Sequence, residues 1–151
     1  MPKQIPKVGD IFSVLLADST KCIGQVLETD PILMNSITCA FFEIRINEEI
    51  LDLDRFTLTK ESAFSCQFVT RDLFNQGNWK RLGNRSALIP ENMYPYRETK
   101  KHGWVGAKVI GSGIIEKFLN AYYGLGDWRE MKDPQYYDKL LVKGIKGPQS
   151  A

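Results

Sequence analysis

Residues 111–141, GSGIIEKFLNAYYGLGDWREMKDPQYYDKLL, decide how this chain is read. Ser112 stands where an N-cap belongs, and Ile114, Ile115, Phe118, Leu119, Tyr122 and Tyr123 recur at helical spacing on one broad face. Gly124 follows at the place where a left-handed residue stops a helix. Asp133 and Pro134 then pair an N-cap with an N1 proline, predicting a second helix that buries Tyr136, Tyr137, Leu140 and Leu141. The segment is rich in aromatics and holds no reactive constellation, which points to packing and partner contact rather than catalysis.

Upstream the period changes from that of a helix to that of strands. Residues 11–16 follow the Gly9-Asp10 turn and are apolar on most of both faces. Asp18-Ser19-Thr20 reverses the chain into a strand over 21–27, where Gly24 predicts a bulge or a close backbone approach. Asp30-Pro31 ends it, and Ile37, Thr38, Phe41, Phe42 and Ile44 suit a third strand over 37–45. The run EEILDLD at 48–54 fits a short strand or a turn of helix equally well. Phe64, Cys66 and Phe68 alternate with Ser65, Gln67 and Val69, predicting a fourth strand with one wetter face.

Turns are expected at 75–78 and again at Gly83-Asn84. Residues 86–103 form the longest loop, with a basic knot of Arg97, Lys100, Lys101 and His102, before a last strand over 104–109. The expected architecture is α+β: a strongly bent antiparallel sheet, or an SH3-like partial barrel, with two C-terminal helices. A single domain over 1–151 would be β-rich at 7–110 and helical at 112–142, with a frayed tail at 143–151.

Composition is that of an average globular chain, with 43% hydrophobic and 25% charged residues in a length of 151. Residues 1–70 carry 6 Lys and Arg against 10 Asp and Glu, whereas 71–151 carry 14 against 8, so opposed acidic and basic faces are possible. The opening MPKQIPKVGD lacks the pattern of a secretory signal, and no apolar run reaches the ~18 residues that span a bilayer, so a cytoplasmic site without membrane contact is expected. Cys22, Cys39 and Cys66 form no C-x-x-C pair and read as buried free thiols.

Catalytic and ligand-binding motifs are weak. AKVIGSGIIEKFL imitates a phosphate-cradling turn, but Glu116 occupies the third glycine position and no Gly-Lys-Ser/Thr occurs. His102, the single histidine, sits beside two lysines that would depress its pKa. Asp52 and Asp54, near Glu48 and Glu49, lack the glycine loop and chelating pattern of a calcium site. No metal or cofactor is therefore expected. Tyr94, Tyr96, Arg97, Lys100, Lys101 and Trp104 interleave aromatics with positive charge, as single-stranded nucleic-acid sites do, although aromatics that pin the loop to the fold explain the same residues.

VGDIFSVLLAD, KCIGQVLETD, CAFFEIR, NWKRLGN, LNAYYGLGDW and DPQYYDKLL together resemble the immunity protein 26 family of bacterial polymorphic toxin systems. The resemblance implies a non-enzymatic cytoplasmic antidote whose partner is a cognate toxin effector domain, acting as a monomer or weak homodimer. For such binding, Glu48, Glu49, Asp52 and Asp54 are candidates to mimic phosphate charge, and Tyr96 and Trp104 to act as anchors. Trp128 joins them if its ring is exposed. VGDIFSV also resembles the first strand of PemK-type RNase barrels, but Gly24-Gln25-Val26-Leu27 replaces their Arg-Pro segment. A nucleic-acid-binding barrel or RNase is the alternative reading.

Overall fold

Apolar residues on both faces of a strand require cover on both sides of the sheet. β1 (Asp10–Leu15), β2 (Lys21–Glu28) and β3 (Ser36–Ile46) all have this character. A computed structural model describing residues 3–29, 36–47, 53–95, 99, 101, 103 and 107–148 shows how the cover is supplied. β4 (Ala63–Thr70), a one-turn α1 (Asp72–Asn75), β5 (Lys80–Asn84), β6 (Val109–Ile110) and α2 (Ser112–Tyr122) follow in order. The strands form one sheet in the order β5-β1-β2-β3-β4-β6, and it is open. The fold is α+β.

Alternation along β1 splits the core into two layers. Phe12 and Val14 face α2, where they join Phe41, Phe64, Ile115, Phe118 and Leu119. Ile11 faces the other way, with Ile23, Leu27, Ala40 and Phe42 beneath Leu58 and Ile89. A one-residue slip of β1 would exchange these layers, so the register Phe12↔Gly24 is strongly specified. A ring rather than a backbone comes close at Gly24: a Cβ there would lie 2.5 Å from Phe12 Cζ. The Phe12 ring in turn stacks on Trp79 at 5.3 Å and meets Phe41 and Phe74 edge-on.

Four expectations are corrected. The sheet is mixed, not wholly antiparallel, because β6 runs parallel to β4 through Phe68↔Val109 and Val69↔Ile110. Gly83 and Asn84 do not turn the chain; they lie within β5 and pair with Ile11 and Asp10. Ser112 does not cap α2 with its own side chain, since Gly111 is the N-cap and Thr70 Oγ1 accepts the Ser112 N–H at 2.9 Å.

The fourth correction concerns the second C-terminal helix. Asp133 does start a turn, its carboxylate accepting the Gln135 N–H at 3.0 Å, but only a 3-10 turn at Asp138–Leu140 follows. The Leu140 carbonyl is taken instead by Ser65 Oγ at 2.6 Å and Gln67 Nε2 at 2.9 Å. Val142 N–H then bonds Phe64 O, so the chain is hooked onto β4 instead of coiling on. Of the strand expected over 104–109, residues 104–106 lie outside the described ones, and of the rest only Val109 is strand, joined by Ile110 in β6.

Candidate partner-binding surface

Of the acidic candidates, Asp54 lies in the described structure, exposed on a one-turn 3-10 helix at Leu53–Arg55. Two contacts fix this turn on β5. Leu53 packs over Gly83, where a Cβ would come within 2.6 Å of Leu53 Cδ1. The Arg85 guanidinium donates to Phe56 O at 3.0 Å and to Leu53 O, which also accepts the Phe56 N–H at 3.2 Å. Asp54 is thus held outward by an arginine whose role gave no signal in the sequence. Glu48, Glu49, Asp52, Tyr96 and Trp104 lie outside the described residues, as does His102.

Trp128 is turned inward, with 3% of its surface exposed, so the condition for a direct partner contact is not met. Its ring lies against Phe118 at 5.8 Å and Tyr137 at 5.4 Å, and Nε1 donates to Asp138 Oδ1 at 2.9 Å. Arg129 pairs with the other Asp138 oxygen at 2.7 Å. Gly147 passes so close over the indole that a Cβ there would meet Cε2 at 2.6 Å. Trp128 is the pin on which the C-terminal segment closes. Its flanking Gly126-Asp127 and Arg129-Glu130 left exposure and burial equally open, and the ring is drawn in by Phe118, Tyr122 and Tyr137, within ten positions on either side.

Along the opposite edge, the N-terminal residues form a strap over β5. Gln4 Nε2 donates to Phe74 O and Trp79 O, and its Oε1 accepts the Arg81 N–H. Asp10, 1% exposed, binds Arg81 Nη1 at 3.0 Å, Asn84 Nδ2 at 3.0 Å and the Lys7 N–H at 2.9 Å. Every hydrogen bond the buried carboxylate needs is thereby close at hand. This cluster had no motif, because its members are separated by some seventy positions.

The three cysteines are free and buried, as their apolar surroundings predicted. Burial pushes the Cys22 and Cys66 thiols up to about 12 and raises Cys39 well above its ordinary range. None supplies a thiolate nucleophile near neutral pH. Around Cys66 the surface opens into a cavity of 610 Å³ between β4, residues 92–93 and the C-terminal segment. Most of its wall is apolar, with Lys60, Glu61 and Lys143 at the mouth. No described helix is long and apolar enough to cross a membrane.

The family model of Immunity protein 26 matches residues 7–104, which span β1 to β5 and the 53–59 and 86–95 segments that cover the second core layer. No curated protein and no solved structure matches the chain.

Proposed function

The chain belongs to the immunity protein 26 family, and we propose from that premise that it binds and blocks the toxic domain of a bacterial polymorphic toxin. The family match over 7–104 is the observation that carries this reading. A sheet packed on both faces supports it, because a preformed surface binds without an ordering cost. Thiols held protonated support a non-catalytic role. The antidote would act in the bacterial cytoplasm as a monomer or weak homodimer, covering the toxin's active cleft with an interface of ~800 Å² per partner.

Within that interface Glu48, Glu49, Asp52 and Asp54 present phosphate-like charge to a basic toxin, while Tyr96 and Trp104 serve as anchors. Trp128 contributes indirectly, by fixing the C-terminal segment. The reading expects the adjoining reading frame upstream to encode a long secreted protein with a compact C-terminal effector domain, and that domain should co-purify with this protein as a stable complex; failure of the two pure proteins to associate contradicts the reading. Reversing the four acidic charges should slow association at low salt by about tenfold or more. An unchanged on-rate would remove the steering role.

A further inference from the structure

Arg85 joins the turn that carries Asp54 to the middle of the sheet. Its own backbone is fixed at both ends: the Arg85 N–H donates to Gly9 O at 3.0 Å, and Gln25 Nε2 donates to Arg85 O at 2.9 Å. Gln25 is fully buried in β2, which ties this anchor to the core. Gly9 lies so close that a Cβ there would come within 2.6 Å of Arg85 O. From that fixed point the side chain reaches the turn, Nη1 donating to Phe56 O at 3.0 Å and Nη2 to Leu53 O.

One planar group thus holds two carbonyls on either side of Asp54. A guanidinium offers such a pair of donors in fixed geometry, and a lysine ammonium, a single point of charge, does not. Both acceptors are neutral, so what the fork fixes is the path of the backbone around the exposed carboxylate. We propose, resting on the toxin-blocking function and its acidic contact, that Arg85 is a positioning residue for partner binding. It touches no partner itself. It holds the 53–56 turn in its bound shape before the toxin arrives, so that Asp54 meets a cation of the toxin without an ordering cost. Net charge sets the association rate, and the fixed turn sets how long the contact lasts.

The test uses the full chain and the effector domain expected from the adjoining reading frame. Arg85→Lys keeps the charge and removes the fork. In the free variant, hydrogen exchange of the Phe56 amide, which is bonded to Leu53 O, should quicken about fivefold or more. Dissociation of the complex should quicken about fivefold or more, with an association rate within about twofold of wild type. Asp54→Asn should weaken binding by itself, and adding Arg85→Lys to it should then cost little further, because residues that act through one another are not additive. Leu53→Ala frees the same turn from Gly83 and carries the same expectations should Arg85→Lys not fold.

A merely structural role would weaken binding equally with and without Asp54→Asn. That additive result, or unchanged exchange at Phe56, overturns the proposal, though the antidote function stands. An Asp54→Asn variant that binds like wild type overturns it too, since Arg85 would then have no contact to act through. If the wild type does not bind at all, the function itself fails and this inference with it.

Discussion

At the scale of single residues, the fold is most sensitive where backbone comes close to a ring. Gly24 lies under Phe12, whose ring is fixed by Trp79, Phe41 and Phe74 and has no free space to move into. Gly24→Ala should therefore cost about 1–3 kcal/mol, read as a lowered denaturation midpoint with unchanged slope. The cysteines test the same packing. Native protein should react negligibly with an aromatic disulfide reagent at pH 8, and three thiols should appear when it is unfolded.

The glycine at position 24 predicted a bulge or a close approach of another backbone, whereas what closes on it is the side-chain ring of Phe12. The inward turn of Trp128 was not legible. Its flanking residues did not decide it, and the rings that bury it come from α2 and from Tyr137.

At the scale of elements, α2 depends on a partner that precedes it by forty residues. Ser112 Oγ donates to Asp72 Oδ1 at 2.8 Å, Thr70 Oγ1 donates to the same oxygen at 2.7 Å, and Thr70 accepts the Ser112 N–H. Burial raises the Asp72 carboxyl, but the hydrogen bonds from Thr70 and Ser112 outweigh it and hold the group below its ordinary value of 3.8. The folded state therefore gains stability from ionised Asp72 above pH 3.8, and that gain is lost as pH falls through the lower folded value. Acid unfolding of Asp72→Asn should show a weaker pH dependence below 3.8 than the wild type; identical slopes would contradict this account of the helix start.

β1 to β4 were legible from alternation and β-branched residues, since each is long enough to show a period. β6 has two residues and no period, so its parallel pairing with β4 could not be read. The expected second helix failed for a different reason: its local start signal at Asp133-Pro134 is genuine, but Ser65 and Gln67 claim the Leu140 carbonyl from across the molecule.

At the scale of the whole molecule, the family match ends at residue 104 and leaves α2 and the aromatic C-terminal segment outside it. That segment nevertheless packs with Phe74 and Trp79 in one core layer and supplies one wall of the cavity beside β4. The family match thus takes in β1 to β5, while the shape of the cavity depends in part on residues outside it. Charge divides elsewhere, inside the family match: the acidic surplus lies in residues 1–70 and the basic surplus in 71–151, as the sequence made plain. How the halves combine into surfaces depended on folding, and burial of Asp10 against Arg81 removes one acidic charge from view.

The most direct measurement is a titration of the effector domain's toxic activity with this protein in vitro. Activity should fall linearly to zero at one equivalent, with no turnover of the effector or its substrate by the protein itself. Full toxic activity in the presence of excess folded protein would contradict the account.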